Sequence, residues 1–174
     1  MGALRSIIRD IRKNIVVFGG LWLLAYLLGI SLSAEHTIKI FSDPITLANV
    51  VVFSYFAHEM GHMAIMQLYG IQGTISAGLA GPATITDQTA RTKIDQLSLS
   101  ARNLIHLGGV MANALFVVAA LLLALHRIIT ISYALVIAGF NVEMIFINLL
   151  PARVSDLWQV IGEFKRVRSV ASTR

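Results

Sequence analysis

Apolar residues in this chain run in long blocks separated by short polar stretches. Four blocks, at residues 14–33, 45–69, 101–126 and 128–150, are long enough to cross a bilayer, which takes about 20 residues of helix. Ser42 and Asp43 ahead of Pro44 read as a cap for the second block, with proline at an early helical position. The first block has a basic flank and small residues after it, at Ser31, Ser33 and Ala34, as a signal peptide does. Its apolar run exceeds the ~7–15 residues of a signal core, so a retained helix is expected.

The remaining stretches differ in kind. Residues 71–85 are rich in Gly, Thr, Ile and Ala, with Gly81-Pro82 as a turn signal. They predict one or two short strands or a re-entrant segment. Residues 86–100 are polar and read as a cytosolic loop. Residues 157–168 set Leu157, Trp158, Val160, Ile161 and Phe164 against Lys165, Arg166 and Arg168, the pattern of an interfacial helix. Residues 169–174 are expected to fray. The predicted fold is an all-α polytopic membrane protein in a single domain, 1–174. It has four transmembrane helices and a short membrane-associated β or re-entrant segment between the second and third.

Composition supports this. The chain is 56% hydrophobic and 13% charged over 174 residues, whereas soluble domains are roughly 45–50% apolar and about 25% charged. The net charge of +5 could suggest nucleic acid, but the Lys and Arg flank the apolar blocks. With four spans, one side of the membrane collects 12 of these residues and the other 2. The positive-inside rule then places both termini in the cytosol. There is no cysteine, which excludes disulfides, thiolate metal sites and a cysteine nucleophile.

The second block contains His58-Glu59-Met60-Gly61-His62, an HExxH pattern. Side chains four apart on a helix stand one turn above each other, so two imidazoles at this spacing can chelate one ion. Glu59 lies between them, where it can take a proton from a water activated by zinc. Random placement yields this motif about 0.003 times in a chain of this make-up. Three ionisable groups within an apolar block are costly in hydrocarbon and point to function. Zinc needs a third protein ligand. His36 and His126 fall on the outer side, which leaves His106, Glu143 and Asp156 as candidates.

The sequence resembles the site-2 proteases, the intramembrane zinc metalloproteases. His58-Glu59-Met60-Gly61-His62 followed by Gly70-Ile71 is similar to that family's HExGH…G-I pattern. Gly109-Val110-Met111-Ala112-Asn113 resembles its G-x-x-x-N segment. Asn148-Leu149-Leu150-Pro151 followed by Asp156 resembles its N-L-L-P-x-x-x-x-D segment. The likeness runs from about residue 45 to 160, in the family's order. It implies Asp156 as third ligand to one Zn2+ per chain and Glu59 as general base. It also implies that Asn113 and Asn148 hold substrate or stabilise the oxyanion. Leu157 stands where the family has glycine, Val110 where proline is frequent, and the prolines common before the aspartate are absent. No PDZ or CBS domain is inserted, so this would be a minimal form.

The expected activity is endoproteolysis of membrane protein substrates, in or near their transmembrane segments. The lipid bilayer is the medium and nucleic acid is no partner. Residues 71–85 are expected to offer a strand edge to an unwound substrate. Along the second helix, His62 lies roughly 10 Å from the cytosolic end, which puts the active site in the cytosolic half of the bilayer. Asp156 lies on the order of 10 Å too shallow unless the chain after Pro151 bends back into the membrane. His106 and Glu143 fall at similar depths and are expected to pair, or to support a zinc-bound imidazole. Two other readings fit the motif: a membrane gluzincin with Glu143 as third ligand, and a metal-binding transporter or scaffold without catalysis.

Overall fold

The computed structural model describes residues 16, 19–28, 30, 44–78, 81–152 and 155–172. The elements are α1 (Gly19–Leu28), α2 (Pro44–Leu68), β1 (Thr74–Gly78), β2 (Gly81–Ile85), α3 (Gln88–Gln96), α4 (Leu99–Leu125), α5 (Ile131–Leu149) and α6 (Asp156–Ser172). Helix dominates. Among the described residues, α4 and α5 are long and apolar enough to cross a membrane. The predicted span at 14–33 extends beyond the described residues at both ends. Ser42 and Asp43 of the predicted cap also lie outside them.

Helix α4 is the hub on which α2, α5 and α6 pack. Its approach to α2 is set by two glycines facing each other. A Cβ on Gly108 would lie 2.7 Å from the Gly61 carbonyl oxygen, so the backbones meet where side chains are missing. Near one end, Ala25, Leu47, Ala48, Val50, Val51 and Val136 form a buried cluster joining α1, α2 and α5. Polar bonds stitch the same helices. Trp22 Nε1 donates to Asn49 Oδ1 (3.0 Å), and Asn141 Nδ2 donates to Ser54 Oγ (2.8 Å).

At the other end, α2 stops in a Schellman turn. Gly70 takes φ +65°, Ile71 N donates to Met66 O, and Gly70 N donates to Gln67 O, both at 3.0 Å. Ile71 and Met66 then pack together with Ala90 and Ile105. Glycine supplies the left-handed backbone and isoleucine the apolar contact, which gives Gly70-Ile71 a physical reason. The turn sends the chain back along α2, against which both strands lie.

Residues 74–78 and 81–85 pair as an antiparallel hairpin's two strands, Thr74 with Ile85 and Ile75 with Thr84. Gly81-Pro82 opens β2 rather than forming a turn. The stretch 86–100 is not a loop. It contains α3, capped by the Asp87 carboxylate on Ala90 N (2.6 Å), and the start of α4, capped by Ser98. These two caps make a polar segment helical.

After α5 the chain turns at Pro151, and Ser155 starts α6 by accepting from Trp158 N (3.2 Å). Helix α6 begins one residue before the predicted tail helix and continues to Ser172, so residues 169–172 are helical rather than frayed. Two ion pairs tie it down: Glu163 to Arg102 on α4 (3.1 Å) and Arg166 to Asp95 on α3 (2.6 Å). The Arg166 guanidinium holds the Asp95 carboxyl below the usual aspartate range.

Candidate metal centre

His58 and His62 lie one turn apart on α2 and face α4 with their Nε2 atoms 3.3 Å from each other. Asp156, the first residue of α6, completes a triangle. Its Oδ2 is 3.5 Å from His58 Nε2 and its Oδ1 is 3.5 Å from His62 Nε2. Donors around a tetrahedral ion, at ligand distances of about 2.0–2.1 Å, stand roughly 3.3–3.4 Å apart. The two imidazoles meet that spacing, and with one Asp156 oxygen they form a group that can hold a metal ion. His58, Asp156 and Glu59 are buried, and His62 is nearly so.

The proton positions follow from the partners. His62 Nδ1 lies 2.8 Å from the Ile105 carbonyl oxygen on α4, so this nitrogen carries the hydrogen. In the neutral ring, Nε2 then presents a lone pair to the centre of the triangle. A carboxylate oxygen and a second imidazole nitrogen face the same point. Three electron-rich atoms this close, away from water, repel each other unless a cation or protons lie between them. Asp156 Oδ2 has no hydrogen-bond partner among the described residues, as expected of a metal ligand.

Gly109 makes room for the rings. A Cβ there would lie 2.6 Å from His62 Nε2 and would also strike the His58 ring. One turn on, Asn113 is fully buried beside His58. Neither its two amide atoms nor His58 Nδ1 makes a well-formed hydrogen bond among the described residues, and a turn of the amide lets one of its atoms pair with the imidazole. The G-x-x-x-N spacing therefore brings one residue with no side chain and one amide to the same imidazole.

Glu59 points to the hairpin. Its Oε2 accepts a hydrogen bond from Thr84 Oγ1 on β2 at 2.8 Å. Composition in the hairpin gave no hint of this contact. Only the return of the chain at Gly70 creates it.

Two expectations, both about His106 and Glu143, are placed differently. His106 does not pair with Glu143. Its carboxylate neighbour is Glu163 (4.0 Å), brought by α6, while Glu143 is exposed on α5, apart from the triangle. The group supporting a site imidazole is the Ile105 carbonyl, not His106 or Glu143. Asn148 gives its amide to Met144 O of its own helix (3.0 Å). Depth along a helix signals which groups share a layer, but not which face they occupy. No family model, curated protein or solved structure matches the chain.

Proposed function

We propose that this chain is an intramembrane zinc endopeptidase of the site-2 protease type, cutting other membrane proteins in or near their transmembrane segments. The observation that carries the reading is the His58, His62 and Asp156 group beside the buried Glu59, with the two Nε2 atoms 3.3 Å apart and each 3.5 Å from a different Asp156 oxygen.

Two imidazoles and one carboxylate suit Zn2+ better than the harder cations, which prefer all-oxygen sites. When bound, zinc supplies a Lewis acid that polarises a carbonyl and lowers the pKa of water. The protein's own residues do the rest. His58, His62 and Asp156 fix the position of the charge. The Ile105 carbonyl sets the tautomer of His62. Glu59 takes the proton from the attacking water and delivers it to the leaving amine. Close packing of α2 on α4 at Gly61 and Gly108 keeps bulk water from the histidines. The hairpin lies beside the site and offers extended backbone to an unwound substrate.

Membrane residence rests on exposed apolar surface. Only 22% of the most apolar stretch of α4 and 28% of that of α5 is buried inside the protein. Leu115, Val118, Leu121 and Leu122 of α4 and Val142 and Phe146 of α5 are exposed. A patch of this extent would drive association in water and is at home in lipid. Four spans with cytosolic termini, and the site in the cytosolic half, are the topology we propose with it. Glu143 stands apart from the histidines, which disfavours the gluzincin variant.

Purified protein and a tethered reporter with a transmembrane segment test the reading. Wild type is expected to bind one zinc and cleave. Glu59→Gln should keep zinc and lose cleavage by about 1000-fold or more. Asp156→Asn should lose both. Cleavage retained in Glu59→Gln would sink the protease reading in favour of a metal-binding scaffold or transporter.

A further inference from the structure

The hairpin touches the candidate base through one side chain. Thr84 Oγ1 lies 2.8 Å from Glu59 Oε2 and 3.2 Å from the Glu59 carbonyl oxygen. Its single proton goes to the closer, charged acceptor, since charge-assisted bonds are the stronger ones. Thr84 is itself held. It pairs with Ile75 across the ribbon, and its branched Cβ restricts its rotation. Its methyl sits over Gly73, where an added Cβ would come within 3.2 Å of Thr84 Cγ2 and 2.9 Å of Met66 Cε. The hydroxyl is therefore aimed by backbone pairing on one side and packing on the other.

We propose that Thr84 is a positioning residue for Glu59: its hydroxyl fixes one carboxylate oxygen and leaves the other to serve the water beside the histidines. Among the described residues, Glu59 makes no other side-chain hydrogen bond. A glutamate without this tether samples several rotamers, and a base must be within hydrogen-bond reach of its proton. The hairpin then does more than line the site. It links the position of the extended segment to the geometry of the base, so the catalytic carboxylate is set only when β2 is docked.

This inference rests on the proposed protease activity, and the test separates the two. Thr84→Val keeps the shape and removes the hydroxyl. Thr84→Ser keeps the hydroxyl. Zinc content and reporter cleavage are measured for full-length wild type and both variants, with deuterium uptake over residues 81–85 in metal-free protein. Wild type failing to cleave would refute the function itself. With wild type active, Thr84→Val is expected to lower kcat about ten- to hundredfold, the scale of one hydrogen bond to a charged group. KM and zinc content stay level, and uptake over β2 rises. Thr84→Ser is expected to restore most of kcat and the protection. Unchanged or raised kcat in Thr84→Val overturns the proposal. So does a change confined to KM, which would mark the hairpin as a substrate contact only. If Thr84→Val fails to fold, Thr84→Ser decides: a kcat loss of tenfold or more there, with zinc content intact, shows that the hydroxyl is not what matters.

Discussion

A single missing methyl group decides whether the two histidines can face one centre. Gly109 is the residue over which both imidazoles lie, and it has no substitute, because even alanine would place a carbon 2.6 Å from His62 Nε2. Gly109→Ala is expected to weaken zinc binding by about 100-fold or more, at the upper end of what disturbance around a metal ligand costs. Competition against a chromophoric chelator measures this, and circular dichroism should show helix content unchanged. The HExxH spacing was legible in the sequence because helical geometry alone brings His58 and His62 together. The role of Gly109 was not, since it depends on where α4 crosses α2.

At the scale of elements, α6 is the part whose placement matters most. It carries Asp156 at its first residue and is held along its length by the Arg102–Glu163 pair, whose side chains are 9% and 15% exposed. Glu163→Gln leaves the Arg102 charge without its partner, and removing one member of a buried pair costs about 3 kcal/mol or more. Denaturant unfolding in detergent is expected to show a loss of that order. Zinc affinity should fall with it, because Asp156 rides on the same helix. The bounds of α2, α4 and α5 were readable from the apolar blocks to within about three residues. Helix α3 was hidden because its apolar stripe is short, only Ala90 and Ile94 within the helix and Leu97 at its end. Its signals were the caps at Asp87 and Ser98. The partner of His106 was hidden for another reason. Glu163 is 57 positions along the chain and reaches α4 only because α6 folds back after Pro151.

For the whole molecule, the distribution of basic residues and the exposed apolar faces of α4 and α5 should act together. The proposed topology puts α3 and the turn between α4 and α5 on opposite sides of the bilayer. The chain has no native cysteine, so single cysteines report cleanly. In sealed vesicles, Gln88→Cys and Arg127→Cys are expected to react with a membrane-impermeant maleimide from opposite sides. Labelling of both from one side would end the four-span arrangement. The hub position of α4 also explains how a short chain can form a closed site. One helix contributes Gly108 to the crossing, Gly109 to the imidazoles, Ile105 to the His62 tautomer and Asn113 to His58.

Asp156 was one of three candidates for the third ligand, singled out only by the family resemblance, but local periodicity and composition were enough to specify α2, α4, α5 and α6 and the paired histidines with Glu59 between them. These follow from interactions within a few residues or from the segregation of charge and hydrocarbon. They could not show whether Asp156 reaches the histidines. Counting rise along α5 left it on the order of 10 Å too shallow. The fold closes that gap with the break at Pro151 and the Ser155 cap, which start α6 against α4. The contact of Thr84 with Glu59 likewise needs the reversal at Gly70 and the register of the hairpin. Pairing between segments distant in sequence depends on packing and chain reversal, and no local pattern encodes it.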